Sequence, residues 1–221
     1  MTGVPRTSAD EVAEAARILT GAGLVEAFGH VSARDGDGFL ITSTRPLGAA
    51  GGEDVHRMDS QGKAPEDASD VPLETPMHAA VYAARDDVNA ICRTHSPAAV
   101  RAGAEGEVPP LVHGLGGLAG EVAYSGRTDL VADEAAGREV AGDLGEANCL
   151  LIRGNGAIAT GRNMAEAVVR ARYLEERCLA GNGLEQEAGW RADLLGPRAR
   201  WFEKETTRAF AWLRWRYGGD S

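Results

Sequence analysis

The sequence predicts a layered α/β fold, in which helices pack against a central sheet. Segments with helical apolar spacing alternate with short apolar runs of strand length, and a glycine-rich hairpin turn joins two of those runs. The 221 residues are enough to bury one sizeable core without disulfides or a structural metal. The three cysteines, Cys92, Cys149 and Cys178, are scattered and odd in number, which favours a reducing, cytoplasmic location over a disulfide framework.

Charge and hydropathy exclude several classes of partner. The formal net charge is −10, whereas nucleic-acid binding needs clustered Lys and Arg to neutralise phosphates. No apolar run approaches the ~18 residues of a membrane-spanning helix. The segment Met1–Asp10 is polar and carries no signal-peptide core. We therefore expect neither nucleic acid nor a membrane as partner.

The first third of the chain predicts one helix and then strands. The helix runs over Asp10–Ala22, where Ser8 and Glu11 form a capping box. Two strands, Val31–Arg34 and Phe39–Thr42, flank a D-G-D-G turn and form a hairpin. A second hairpin is expected at residues 57–63.

The remainder alternates helices with strands. Proline at the first helical turn and polar N-caps mark several helix starts. Predicted helices cover Glu74–Ala84, Pro97–Ala104 after the cap Ser96, the segment from the cap Thr128 to Asp143, and Met164–Leu179; predicted strands cover Val88–Cys92 and Cys149–Ile152.

The tail beyond residue 182 differs in composition and defines a Trp-rich helical extension, 183–221, after a first domain over 1–182. It holds every tryptophan of the chain: Trp190, Trp201, Trp212 and Trp215. The extension either docks on its own domain or packs as an arm on a neighbouring subunit, since Trp and Arg anchor interfaces. Removal of the chain from Gly196 onward is expected to break assembly or close off the site.

Polar residues at the ends of predicted elements are the candidates for chemistry. Arg93 and His95 alternate onto the same face at a strand end, a pair suited to an anion, a carboxylate or an enolate, unless it is an exposed edge pair. Glu74 begins a helix, where a carboxylate is also favoured simply as a cap. Asn155 lies between two glycines, which is first of all the pattern of a turn. Dinucleotide, P-loop, C-x-x-C and G-x-S-x-G motifs are absent.

Five blocks in order, between Ala13 and Glu176, resemble the class II aldolase/adducin family. They are Gly29–Arg34 (G-[NH]-x-S-x-R), Phe39–Thr42, Glu74–Tyr82 (E-x-x-x-H-x-x-x-Y), Arg93–Ser96 in place of H-x-H, and Leu150–Gly156 followed by a helix. The resemblance implies a three-layer α/β/α fold with a mainly antiparallel central sheet. It also implies a homotetramer with sites at subunit interfaces. In the family's enzymes three histidines hold a divalent metal and a glutamate moves the proton.

The sequence departs from the family pattern at the metal site. Of the three ligand positions only His95 is kept, and Arg93 and Asn155 occupy the other two. Arginine does not deprotonate to bind a metal, and a neutral amide oxygen is a weak zinc ligand. We therefore expect no metal or a weakly bound divalent metal, with His95 as its ligand if one is present. Replacement ligands remain possible at His30, His78 or His113.

The residues that bind the sugar phosphate in the family's aldolases are not kept in this sequence either. Arg45 follows Thr44 where glycine is usual, and proline and leucine precede Glu74 where serines are usual. His30, Ser32, Thr44 and Arg45 are the expected substrate-binding residues.

The resemblance points to a lyase that acts on a small anionic oxygenated substrate through an enolate-like intermediate, by retro-aldol cleavage or decarboxylation. The expected catalytic residues are Glu74 as general base, Arg93 as a fixed cation in place of the metal, His95 and His113 as proton carriers, and Asn155 as a hydrogen-bond donor. Two alternatives stay open: a non-catalytic, adducin-like assembly protein, and a metal-dependent lyase or isomerase with a rearranged site.

Overall fold

A computed structural model describes residues 7–66, 68–190 and 202–219 of the chain. Its helices are α1 (Ala9–Gly21), α2 (Thr75–Ala84), α3 (Pro97–Glu105), α4 (Glu134–Leu144), α5 (Met164–Gly181) and α6 (Phe202–Tyr217). Its strands are β1 (His30–Asp35), β2 (Gly38–Thr42), β3 (Val55–Met58), β4 (Ala90–Thr94), β5 (Val122–Ser125), β6 (Cys149–Ile152) and β7 (Ala157–Gly161). None of the helices in these described ranges is both long and apolar enough to cross a membrane.

The strands form one sheet in the order β3-β2-β1-β4-β7-β6-β5. Its pairings in the described residues are antiparallel except for that of β5 with β6. The central position of β1 and β4 matters for the site, because their register sets His30 opposite Arg93.

Helices cover both faces of the sheet, which confirms the three-layer prediction. One core lies between the sheet and α1, α3 and α5, and the second lies between the sheet and α2 and α4. Strand residues alternate between the two cores, so that Cys92 faces the first and Ile91 the second.

Most predicted elements are confirmed to within a few residues. Ser8 and Glu11 form the capping box of α1, and Gly36, with φ +64°, turns the hairpin of β1 and β2. Two predictions are wrong. Asp133 rather than Thr128 caps α4, because its side chain accepts a hydrogen bond from the Ala136 backbone N–H. Residues 59–63 form a closed turn, but no strand follows it in the described residues before α2, and β3 instead pairs with β2.

The C-terminal helix α6 docks on its own domain. Leu213 is buried at 2% exposure in the core shared with α1 and α5, and Arg214 pairs with Glu14 of α1 at 2.6 Å. Trp212 and Trp215 stay 51% and 72% exposed, so apolar residues other than these two make the contact. Trp201 lies outside the described ranges. So do residues 196–200 and 220–221 of the segment that begins at Gly196.

Candidate active site

The site forms where β1, β4 and the start of α2 meet. His30 begins β1, Arg93 lies opposite it near the end of β4, and Glu74 immediately precedes α2. Proline at the second helical residue favours a helix start at this point. The three side chains are therefore brought together by strand register and by a helix terminus, which are rigid parts of the fold.

Glu74 is the centre of the cluster and is almost fully buried, at 6% exposure. Its Oε2 accepts a hydrogen bond from Arg93 Nε at 3.1 Å and lies 3.4 Å from His30 Nε2. Among the described residues its Oε1 has only a long contact, 3.4 Å, with the backbone N–H of Val131. Burial on its own raises the pKa of Glu74, but the contact with His30 and the charge of Arg93 outweigh it and lower the pKa to about 2. Glu74 is therefore a carboxylate at neutral pH.

Arg93 is fully buried at 0% exposure, unlike a residue that receives substrate directly. Its Nε faces Glu74, and its Nη1 donates to the backbone carbonyls of Thr94 at 2.9 Å and Asn155 at 2.7 Å. Its Nη2 is buried and has no hydrogen-bond partner in the described part of the chain. Burial lowers the pKa of Arg93 and Glu74 raises it, and a guanidinium keeps its charge at physiological pH. Arg93 is thus an internal cation that binds both the carboxylate of Glu74 and the turn at residues 152–156.

His95 and Asn155 present the polar surface of the site to solvent, since both are partly exposed. Burial and the charge of Arg93 lower the pKa of His95 to about 4, so its imidazole is neutral at physiological pH. The turn that carries Asn155 needs glycine at 156, where φ is +76° and a Cβ would lie 2.1 Å from the Thr94 carbonyl oxygen. The close approach of this turn to β4 aligns Asn155 beside His95.

His30 and Ser32, expected to bind substrate, are instead buried within a hydrogen-bond chain. His30 Nδ1 lies 2.6 Å from His78 Nε2, and Ser32 Oγ lies 2.6 Å from His78 Nδ1 and 2.7 Å from the hydroxyl of Tyr82. Each of these four residues is at most 5% exposed. Their side chains therefore contact one another rather than solvent.

The other expected site residues contact groups other than Glu74. His113 precedes a 3₁₀ segment, Gly114–Ala119, that packs on α5, across the sheet from α2. Thr44 is exposed and its backbone N–H donates to the Asp70 carbonyl. Arg45 is paired with Asp54 at 3.1 Å and with Asp70 at 3.6 Å.

An open cleft beside the cluster contains residues that the sequence reasoning missed. It is lined by Asn155, Leu130 and the exposed Arg153, together with Ala104, Thr128 and Gly154. Leu130 is 51% exposed and precedes Val131, whose N–H faces Glu74. Exposed apolar residues also precede other site residues: Leu73, next to Glu74, is 72% exposed, and Phe28, near His30, is 77% exposed. An exposed arginine or leucine has no characteristic sequence pattern. Arg153 and Leu130 are therefore identified only by their positions in the structure.

The donor set does not fit the divalent metal that the family resemblance implies. Within the described residues no group of three or more His, Cys, Asp or Glu is arranged to hold a metal ion. At the first ligand position the guanidinium of Arg93 already makes an ion pair with Glu74. A metal cation there would face a buried positive charge instead of a lone pair.

Residues 10–180 match the family described as Class II Aldolase and Adducin N-terminal domain. The chain is 30% identical over 200 residues to a 3,4-dihydroxyphthalate decarboxylase of Terrabacter sp., covering 83% of each chain. It is 32% identical to a 5-methylthioribulose-1-phosphate/5-deoxyribulose-1-phosphate aldolase of Rhodospirillum rubrum, covering 75% of this chain and 79% of that one.

Among solved structures, an aldolase II superfamily protein from Pseudomonas syringae superposes with a TM-score of 0.75 at 19% identity, over 99% of this chain and 98% of the other. That likeness confirms the predicted fold. The named relatives are decarboxylases and aldolases, and they confirm the expected class of carbon–carbon lyase. The chain therefore belongs to the class II aldolase and adducin N-terminal domain family.

Proposed function

We propose that this chain is a decarboxylase of a small hydroxylated carboxylate, and that buried Arg93 supplies the positive charge that a metal supplies elsewhere in the family. The observation that carries the proposal is the ion pair of Arg93 with Glu74 at 3.1 Å, at the position of the first metal ligand. A fixed cation in a water-excluded site stabilises developing anionic charge without reorganisation.

The surroundings of the site favour an apolar or aromatic acid over a sugar phosphate. Leu130 lines the adjoining cleft and exposes apolar surface next to Val131, whose backbone N–H contacts Glu74. Arg45, which would meet a phosphate, is paired with two aspartates. Arg153 in the adjoining cleft is the cation we assign to the carboxylate of the substrate.

Glu74 is suited to move a proton from oxygen to carbon. As a carboxylate it accepts the proton of a substrate hydroxyl, preferably at Oε1, and then donates it to the carbon that bears the carboxylate group. The carbon–carbon bond breaks, carbon dioxide leaves, and the bonding electron pair returns to the substrate oxygen. That oxygen regains a proton from solvent, so the reaction consumes one proton in all. We assign neutral His95 and the amide of Asn155 as the hydrogen-bond donors to the oxyanion.

Assembly and location belong to the same proposal. We expect a homotetramer in which a neighbouring subunit covers the exposed apolar residues around the site, including Phe28 and Leu73. His113 precedes a segment that packs on α5, on the opposite face of the sheet from α2, so we assign it no role in the proton transfer at Glu74 of its own chain. The three cysteines are buried and free, which favours the cytoplasm.

The test is carbon dioxide release by the purified protein with ortho-hydroxylated aromatic carboxylates, beginning with 3,4-dihydroxyphthalate, in the presence and absence of a chelator. We expect turnover that the chelator does not reduce. The variant Glu74→Gln should lose about 10²- to 10⁴-fold in kcat, as expected for a general acid–base residue. Arg153→Gln should mainly raise KM.

Arg45→Gln is the matched control for Arg153→Gln, because its ion pairs lie outside the cleft. Aldehyde release from an aldol substrate, with no carbon dioxide release, would replace decarboxylation by retro-aldol cleavage. Folded protein that turns over neither class, and copurifies with a stable protein partner, would favour the assembly alternative.

A further inference from the structure

A continuous chain of polar side chains leads away from Glu74 into the core. It runs from Glu74 through His30, His78 and Ser32 to Tyr82, with successive distances of 3.4, 2.6, 2.6 and 2.7 Å. Its members come from β1 and α2, so it connects the catalytic carboxylate to two elements of the scaffold. Only Glu74 belongs to the proton transfer described above.

The carboxylate at one end of the hydrogen-bond chain sets the direction of the hydrogen bonds that follow from it. A carboxylate only accepts, so His30 presents its Nε2 proton to Glu74 and keeps Nδ1 as an acceptor. His78 then donates from Nε2 to His30 and accepts at Nδ1. Ser32 donates to that Nδ1, and Tyr82 donates to the oxygen of Ser32. Both imidazoles are neutral in this scheme, which agrees with burial lowering the pKa of each.

We propose that this hydrogen-bonded chain of side chains positions Glu74 for catalysis by keeping His30 in its Nε2–H tautomer. Arg93 and His30 together then hold Oε2 of Glu74 and leave Oε1, which the Val131 N–H contacts at 3.4 Å, for proton transfer. His30, His78, Ser32 and Tyr82 are thus positioning residues, and the hydroxyl of Ser32 acts on Glu74 through two imidazoles. This inference rests on the proposed role of Glu74 in the proton transfer.

Burial of these hydrogen-bonded side chains keeps the two imidazoles in one tautomer. Ser32 and His78 are 0% exposed, so water cannot substitute for a missing donor without a rearrangement. An imidazole without its donor at Nδ1 has two tautomers of similar free energy, and one of them points a lone pair at its neighbour. In His30 that tautomer would set a lone pair against the carboxylate of Glu74.

The first experiment is ¹⁵N NMR of protein labelled at histidine, with the resonances of His30 and His78 assigned through His30→Gln and His78→Gln variants. We expect both rings to be neutral and Nε2-protonated in the unsubstituted protein. A protonated Nδ1 on either ring would overturn the proposal. This readout needs no substrate, so it decides the inference even if the proposed decarboxylase activity is not found.

The second experiment removes one hydroxyl at a distance from Glu74. Ser32→Ala should give mixed tautomers at His78 and lower kcat about 10- to 100-fold, the loss expected from a misplaced reacting group, with KM within about twofold. Ser32→Thr keeps the hydroxyl and should restore both the tautomers and kcat.

Ser125→Ala is the matched control, because Ser125 is also a buried strand serine and its hydroxyl donates to Asp143 and not to a histidine. It should leave tautomers and kcat unchanged. Unchanged tautomers and kcat in Ser32→Ala would overturn the proposal, as would a loss in kcat that Ser32→Thr does not restore.

Discussion

At the scale of single residues, the account depends on one buried ion pair. Arg93 and Glu74 are 0% and 6% exposed, so each charge is kept in the core by the other. Breaking such a pair is far more costly than losing an exposed pair, because an uncompensated buried charge remains.

Arg93→Met should therefore lower the free energy of unfolding by about 3–5 kcal/mol. Denaturant unfolding measures this loss, and the double variant Arg93→Met/Glu74→Gln should recover much of it. The control Arg57→Met, which breaks a half-exposed pair with Asp35, should cost no more than about 1 kcal/mol. Equal losses for Arg93→Met and Arg57→Met would contradict the assignment.

Stability against acid provides a second residue-scale prediction. The pKa of Glu74 is about 2 in the folded protein, below its ordinary value of 4.5, so its ionisation stabilises the fold above pH 4.5. That contribution is lost as the pH falls from 4.5 towards 2. The stability difference between the unsubstituted protein and Glu74→Gln should be constant near neutral pH and shrink below pH 4.5. A difference that persists unchanged into acid would refute the depressed pKa.

The sequence predicted which residues carry charge at the site but not how they meet. Glu74, Arg93 and His95 were identifiable because helix starts and strand ends have local patterns. The contact of His78 with His30 depends on how α2 lies over β1, and no local pattern encodes that packing. His30 was therefore assigned to the substrate although both of its ring nitrogens face protein groups.

At the scale of elements, α3 shows how a distant residue completes a local motif. Ser96 occupies its predicted N-cap position, but its side chain makes no capping hydrogen bond. Glu175 of α5 caps the helix instead, and its two carboxylate oxygens accept from the backbone N–H groups of Ala98 and Ala99, both at 3.0 Å. Local sequence thus located the helix start, while its stabilising contact comes from another helix.

Glu175→Ala should destabilise the protein by about 1–3 kcal/mol, because two buried N–H groups lose their acceptor. Thermal or denaturant unfolding measures the loss. Glu176→Ala is the neighbouring control: Glu176 pairs with Arg172 one turn away on the same helix, and its removal should cost about 0.5 kcal/mol or less. A larger effect at Glu176 than at Glu175 would count against the cap.

At the scale of the whole molecule, α6 closes the layer that contains α1 and α5. Leu213 makes that contact at 2% exposure, whereas Trp215 is 72% exposed. Leu213→Ala should therefore cost about 2–5 kcal/mol of stability. Trp215→Ala should change the stability of the fold by no more than about 0.5 kcal/mol. Comparison of the two variants by denaturant unfolding, with the oligomeric state followed by sedimentation, separates docking on the chain's own domain from contact with a neighbouring subunit.

The most direct test of the central claim is the metal content per subunit of active protein, purified without a tag or chelator and measured by elemental mass spectrometry. The account predicts a value close to zero in protein that releases carbon dioxide at its full rate, because Arg93 supplies the charge. A value close to one metal per subunit, with activity lost on its removal, would contradict the role of Arg93.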